Sequence, residues 1–307
     1  MNSCCRVALV LLALAVMTGP VAARAQQPAA PAPQPPTAAP QPPMFETKKI
    51  TDDVYLFRYG GHQSMFVVTP DGVIATDPIG YRRPQAVRTY IDEIRKVTQA
   101  PIKYVVYSHH HYDHIEGGRP FKELGATFVA HTNAKTRLEA LKNPDVVLPD
   151  VATNDLHVIT LGGTRLELHY VGRNHSDNTL VMLLPKQKLI FVVDFIPIDT
   201  VQFRDLPDGY LPDFFESFDK VLALDWDRMI PGHPYAGGRL GTKEDVRAAK
   251  QYMVDLSDAV KQAALAGKCF DDAMKEVKLP KYEKWANYER FLPGNIERFC
   301  EYWGRGY

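Results

Sequence analysis

The chain has 307 residues, 36 basic and 36 acidic side chains and a formal net charge of +0 at pH 7. It therefore carries no basic excess, which removes the electrostatic case for a nucleic acid or an anionic membrane surface as its partner. With 45% hydrophobic residues it is long enough to bury a full core in one large α/β domain.

The first segment reads as a leader. Met1 to Arg6 carries one positive charge, Val7 to Val16 is an unbroken apolar run, and Ala23-Arg24-Ala25 has small residues where a signal peptidase cuts. Residues 1–25 are thus expected to be a signal peptide, and the mature chain to be periplasmic or secreted. The apolar run is shorter than the roughly 20 residues that span a bilayer, so no stable membrane insertion is expected after cleavage. Cys4 and Cys5 precede that run, which is the wrong side for a lipidated cysteine. Residues 26–43 are almost wholly Pro, Ala and Gln and read as an extended, unfolded tether. A domain is expected over 44–307. Cleavage would remove Arg6 and Arg24 and no acid, leaving the mature chain near neutral. Of the cysteines only Cys269 and Cys300 would survive it, and the sequence leaves open whether they pair.

Within the domain, Val54 to Arg58, Met65 to Val68 and Val73 to Thr76 read as short strands separated by Gly60-Gly61 and Pro70-Asp71-Gly72. Val87, Tyr90, Ile91, Ile94 and Val97 recur on one face of a helix over Arg83 to Thr98. Ile102 to Tyr107 reads as a buried strand. A short helix over Pro120 to Leu124 and a strand over Thr127 to Ala130 follow. Thr132 is then the expected N-cap of a helix running to Leu141, before Asn143-Pro144. Further strands are expected at Leu166–Val171, Thr179–Leu184, Leu189–Val193 and Arg228–Ile230. Helices are expected at Pro212–Leu224, Thr242–Ala266, Asp271–Val277 and Asn295–Tyr302. Two strand-rich halves, each with helices for one sheet face, suggest two packed sheets with helices outside, though periodicity alone leaves other α/β layouts open.

The segment Ser108-His109-His110-His111-Tyr112-Asp113-His114 closes the strand before it with His-x-His-x-Asp-His. Residues two apart in an extended chain point the same way, so His109 and His111 can face one metal ion. A turn after Tyr112 would send Asp113 and His114 toward a second position. Imidazole and carboxylate ligands together suit zinc. A surface histidine run is the plainer alternative, but such runs do not close a buried strand. His175 follows another expected strand, Asp194 a third and His233, within Pro231-Gly232-His233-Pro234, a fourth.

With these motifs the chain resembles the metallo-β-lactamase-fold hydrolase superfamily, over about Asp53 to His233. The resemblance implies an αββα sandwich and two Zn2+ ions per chain, with iron an alternative. It implies His109, His111 and His175 at the first site and Asp113, His114 and His233 at the second. Asp194 would bridge the two, and Asp77 would buttress the motif loop without binding metal. Two such ions can acidify a shared water to a hydroxide nucleophile, with Asp113 orienting it and helping to protonate the leaving group.

The implied activity is cleavage of an acyl C–O, C–N or C–S bond in a small-molecule lactone, ester, lactam or thioester. A β-lactamase proper is one alternative, although those enzymes typically lack an acid at the Asp194 position. A mononuclear iron sulfur dioxygenase and a non-catalytic metal-binding accessory protein are the others. Phe195-Ile196-Pro197-Ile198, with Phe203, Leu206, Tyr210 and Leu211, reads either as a wall of an acyl pocket or as core. Asn178 reads as a substrate contact or a chain turn, and Tyr112 as a phenol over the site or as packing. His110, His62, His131, His157 and His169 read as surface or hydrogen-bonded histidines.

Overall fold

The computed structural model describes residues 43–234 and 238–306. The expected signal peptide, and the tether up to residue 42, lie outside the described residues. Among the described residues no helix is long and apolar enough to cross a membrane.

Two sheets form the centre. The first begins as a meander of β1 (Phe45–Lys49), β2 (Val54–Tyr59), β3 (His62–Thr69) and β4 (Gly72–Thr76). It continues through helix α1 (Pro84–Val97) to β5 (Ile102–Val106). The short helices α2 (Tyr112–Ile115) and α3 (Arg119–Glu123) then lead to β6 (Thr127–His131), and α4 (Thr132–Leu141) leads to β7 (Val151–Thr153). Strands β4 to β7 run parallel, as helical crossovers require. The second sheet takes β8 (Leu156–Leu161), β9 (Thr164–Tyr170), β10 (Leu180–Leu184) and β11 (Leu189–Val192) as an antiparallel run. Helix α5 (Leu211–Ala223) then crosses to β12 (Arg228–Pro231), parallel to β11. The chain ends in α6 (Lys243–Leu265), α7 (Asp271–Glu276) and α8 (Tyr288–Cys300).

Period-two alternation decides which face of each strand packs where. From the first sheet Val54, Leu56, Met65, Val67, Ile74, Val106 and Val129 pack against Leu166, Leu168, Leu180, Met182, Leu184, Leu189 and Phe191 of the second. The intervening residues face outward. Phe57, Phe66, Ala75 and Val105 meet Val87, Tyr90 and Ile94 of α1. Val181, Leu183, Ile190 and Val192 meet Phe214 and Phe218 of α5 and Tyr252 and Leu256 of α6. Helix, sheet, sheet, helix is the result: an αββα sandwich.

The sequence reading needs four corrections. Strand β1, whose Phe-Glu-Thr-Lys-Lys lacks an apolar alternation, is a charged edge strand that forms because β2 offers it a ladder. Strands β7 and β8 were also not expected; β7 is only three residues long. The cap of α4 is His131, whose Nδ1 accepts the Asn133 amide at 3.1 Å, so Thr132 is the first helical residue. Helix α8 starts at Tyr288, seven residues before the expected Asn295. Pro293 and Gly294 are poor helix formers, but burial of Phe291, Leu292, Ile296 and Phe299 carries the helix through them. Cys269 and Cys300 are free thiols. Cys300 accepts the Phe270 amide at 3.2 Å, and burial with the adjacent Cys269 thiol pushes its pKa up to about 12.

Strand direction brings several chain ends to one rim of the sandwich. Asp77 follows β4, His109 to His114 follow β5, and Asp194 and His233 follow the parallel pair β11 and β12. Two bonds staple the sheets together there. The Leu180 amide donates to the Ser108 carbonyl at 2.8 Å, and the Gln63 amide donates to the Gly232 carbonyl at 2.8 Å. The residue at 232 has no room for a side chain: an added Cβ would lie 2.6 Å from Val193 Cγ1. Glycine there lets the end of β12 lie against β11 and carry His233 inward.

Candidate metal centre

Seven residues from four chain segments converge at this rim. His109 and His111, two apart in extended backbone, meet His175 from the loop after β9. His175 Nε2 lies 3.0 Å from His111 Nδ1. Asp113 and His114 are carried by α2, which begins at Tyr112 and turns them away from His109 and His111 toward His233. One atom of each of His109, His111, His175 and Asp194 lies within 4.8 Å of the others; the same holds for Asp113, His114, Asp194 and His233. Asp194 belongs to both groups. Its Oδ2 is 3.4 Å from His109 Nε2, 3.1 Å from His114 Nε2 and 3.3 Å from His175 Nε2, and its Oδ1 is 3.1 Å from His233 Nε2. Asp194 reaches this position with φ of 70°, a left-handed backbone that Asp tolerates better than most residues.

Close as they are, several of these atoms do not hydrogen-bond. His109 Nε2, His114 Nε2 and Asp194 Oδ1 are buried without a partner. Buried polar atoms are normally satisfied, and polar atoms facing a common centre without a partner are what a cation, displacing any ring proton, would satisfy. The residues therefore fit metal ions, with imidazole and carboxylate donors of the kind that zinc or iron accepts.

The remaining ring nitrogens are held from behind. His233 Nδ1 donates to the Gly61 carbonyl at 2.6 Å, leaving Nε2 to face inward. His111 donates from Nε2 to Asp208 Oδ2 at 3.3 Å, leaving Nδ1 to face His175. His109 Nδ1 lies 3.0 Å from the Ser108 hydroxyl. Such outer partners fix the tautomer that a metal needs. Asp77 is fully buried under the motif: its Oδ1 accepts the Ser108 amide at 2.8 Å and its Oδ2 lies 3.8 Å from His114 Nδ1. Asp77→Ala leaves that buried amide without an acceptor. The metal-free protein is expected to lose about 1–3 kcal/mol of stability, measured by denaturant unfolding.

Charge in the site follows from burial and crowding. Burial alone would push the His114 imidazole down, but Asp194 and Asp113 outweigh it and hold it up at about 10. Burial would likewise raise both carboxyls. Instead His114, with His62 beside Asp113 and His233 beside Asp194, holds each well below the usual carboxylate range. Asp77, with no full charge partner in bonding contact, is raised by burial to about 6.

Three contributors escaped the sequence reading. His62, which reads as an ordinary histidine, places Nε2 3.1 Å from Asp113 Oδ2 and its ring edge-on to His233 at 4.4 Å. Its position beside Gly60-Gly61 carried no signal. Asp208 sits in an irregular loop with nothing local to mark it. Arg83 donates to the Asp113 carbonyl at 2.8 Å and so anchors α2. Of the open readings, Asn178 turns out to be a buried brace: its Oδ1 accepts the His110 amide at 2.9 Å, and its Nδ2 lies 2.9 Å from His110 Nδ1. His110 also approaches Asp208 and forms a third group with it and His111. Tyr112 both packs on the first-sheet helical layer and lines the cavity over the site.

That cavity has a volume of about 830 Å³ and is floored by His62, His111, Asp113, His175, Asp194 and His233. The proposed acyl wall divides. Ile196, Pro197 and Phe203 line the cavity. Phe195, Ile198, Leu206 and Leu211 are core residues packed under it, and Tyr210 caps α5 on the side away from the lining.

The family model for the metallo-beta-lactamase superfamily matches residues 60–233. The chain is 23% identical over 190 residues to the 2,4-dinitroanisole O-demethylase subunit alpha of Nocardioides sp. (strain JS1661), covering 61% of this chain and 57% of that protein. It is 26% identical over 157 residues to the metallo-beta-lactamase type 2 of Bacillus cereus, covering 48% of this chain and 58% of that one. The chain thus spans under two thirds of either relative's length. Among solved structures, DIM-1 metallo-beta-lactamase superposes with a TM-score of 0.59 at 18% identity, over 69% of this chain and 98% of that one. The stereoselective inverting sec-alkylsulfatase Pisa1 from Pseudomonas sp. superposes with a TM-score of 0.69 at 15% identity, over 85% of this chain and 50% of that one. At these identities the structures speak for the fold alone.

Proposed function

The chain belongs to the metallo-beta-lactamase superfamily, and we propose that it is an exported di-zinc hydrolase that cleaves an acyl C–O, C–N or C–S bond. The observation that carries this reading is the place of Asp194, within reach of both three-residue groups at once. His109, His111 and His175 would hold one ion and Asp113, His114 and His233 the other, with Asp194 between them. When bound, the pair would supply an acidified water and Lewis-acid polarisation of the scissile carbonyl.

The chain's own residues do the rest. Asp208, Gly61 and Ser108 orient the ligand rings from behind. His62 fixes the Asp113 carboxylate through its contact at 3.1 Å, and Arg83 fixes the Asp113 backbone. Held this way, Asp113 would orient the attacking water and help to protonate the leaving group. Ile196, Pro197 and Phe203 offer an apolar face to the acyl part of the substrate and limit water beside it.

Metal loading has an acid–base signature. In the metal-free protein His114 is held protonated up to about pH 10, whereas a ligand imidazole must present a lone pair. Zinc binding at pH 7.5 is therefore expected to release protons, from this ring and from His233, which Asp194 likewise raises, and affinity to rise with pH below 10. Calorimetry in two buffers of different ionisation enthalpy measures the protons directly. Equal heats in both would remove His114 from the ligand set.

The function is tested by loading the protein with zinc and assaying matched lactone, lactam and thioester substrates, with His109→Ala as control. Turnover of any of them that chelation and the control both abolish supports the hydrolase. Turnover of the lactam alone narrows it to a β-lactamase. Oxygen consumption with bound iron and no hydrolysis would replace it with a dioxygenase, and no turnover with metal bound would leave an accessory protein.

A further inference from the structure

The loop joining β4 to α1 is built to hold one cation at the cavity edge. Three of its residues adopt left-handed backbone: Asp77 at φ 25°, Ile79 at 51° and Arg82 at 54°. A buried β-branched residue such as Ile79 takes that conformation only where its surroundings impose it. Here they do. The Ile79 amide donates to the His114 carbonyl and the Gly80 amide to the Glu116 carbonyl, both at 2.8 Å, while the Arg83 amide closes the turn onto the Gly80 carbonyl at 2.7 Å. Gly80 lies so near α2 that an added Cβ would meet the Glu116 carbonyl at 2.6 Å. The loop is thus locked to the helix that carries Asp113 and His114.

The two arginines it presents differ. Arg83 is spent within the protein, donating to the Ile79 and Asp113 carbonyls. Arg82 lines the cavity and is exposed. Its guanidinium lies over the Tyr81 ring at 5.1 Å. Among the described residues no carboxylate lies within ion-pair distance of it, although this chain pairs many of its surface arginines. Besides the metal-ligand candidates and the polar or aromatic Arg83, His110, Tyr81 and Tyr112, much of the cavity wall is apolar. Ile196, Pro197, Val201 and Pro207 line it, and Phe203 and Leu141 stand about half exposed, at 47% and 53%. Large apolar side chains left open on a cavity are ones that a ligand covers.

We propose that Arg82 is an anion-recognition residue and that the substrate is an amphiphilic acyl compound. Its apolar chain lies along Ile196, Pro197 and Phe203, and it bears a carboxylate remote from the scissile bond that pairs with Arg82. This rests on the hydrolase reading for the reaction but not for the binding. A planar guanidinium over an aromatic ring is held in place to receive a carboxylate in two-point contact. The remote carboxylate adds selectivity because a neutral analogue leaves that contact unmade.

The test compares two esters of equal chain length, phenyl pentanoate and the monophenyl ester of glutaric acid, on the metal-loaded full chain. The wild type is expected to prefer the anionic ester in kcat/KM. Arg82→Glu is expected to lower the ratio of anionic to neutral kcat/KM by about tenfold, the order of one charge-assisted contact, through KM of the anionic ester. Arg82→Lys should keep an intermediate ratio. An unchanged ratio in Arg82→Glu overturns the proposal. If the wild type hydrolyses neither ester, the hydrolase reading is judged by its own substrates, and binding decides the subsite. Pentanesulfonate, a poor metal ligand, is titrated calorimetrically into wild type and Arg82→Glu. Binding weakened about tenfold or more by the charge reversal supports the subsite; equal binding, or none to the wild type, overturns it.

Discussion

Hydrolysis by the metal-loaded chain is expected to fall more than about a hundredfold in Asp194→Ala, beyond the roughly 10–100-fold typical of outer-shell partners. Among the described residues, Asp194 is the one carboxylate within 3.4 Å of His109, His114, His175 and His233 together. On the di-zinc proposal, its loss would remove a ligand from each group and the negative charge that would let two dications sit so close. Metal analysis of the same preparation separates the causes: fewer than two ions per chain are expected. A variant that kept both ions and full turnover would remove Asp194 from the centre. The metal-free variant should still fold, because the strands that deliver the site are held by the inter-sheet core.

Trp226→Ala should act in the opposite way, costing stability without touching a ligand. The indole is almost wholly buried between α5 and β12. Its Nε1 donates to the Val221 carbonyl at 2.8 Å, and the Lys243 ammonium lies 5.6 Å from the ring centre. Deleting a buried tryptophan leaves a cavity that the surrounding side chains fill only in part, at a cost of about 3–5 kcal/mol. Denaturant unfolding reads this directly, and a loss below about 1 kcal/mol would mean that the site collapses freely. Because this crossover ends in His233, the variant should also lose metal from the second group as denaturant rises, before the first group releases its own.

Much of this architecture is legible in the chain because its signals are local. The unbroken apolar runs Leu180 to Leu184 and Leu189 to Val193 mark strands buried on both faces, and the spacing of Val87, Tyr90 and Ile94 marks the buried face of α1. Where local signals were weak or misleading, neighbours decided. Strand β1 exists because β2 pairs with it, and α8 passes through Pro293 because its apolar face is buried. The reading of Phe195 to Leu211 as one wall failed for a similar reason. All of these residues are apolar, but only the packing of α5 decides which face the cavity and which face the core.

By itself the sequence determined the candidate donors. His-x-His-x-Asp-His sits in six consecutive positions, and His175, Asp194 and His233 each follow a strand, so their types and local placement are written in the chain. What it did not determine is everything that depends on the meeting of segments far apart. Asp113 finds His62 across 51 positions and His111 finds Asp208 across 97. The unpaired Arg82 reaches the same cavity as Phe203. No short-range pattern encodes such pairs, because a side chain in a loop carries no periodicity. Only the packing of two sheets, with their strand ends at one rim, brings these residues into one field.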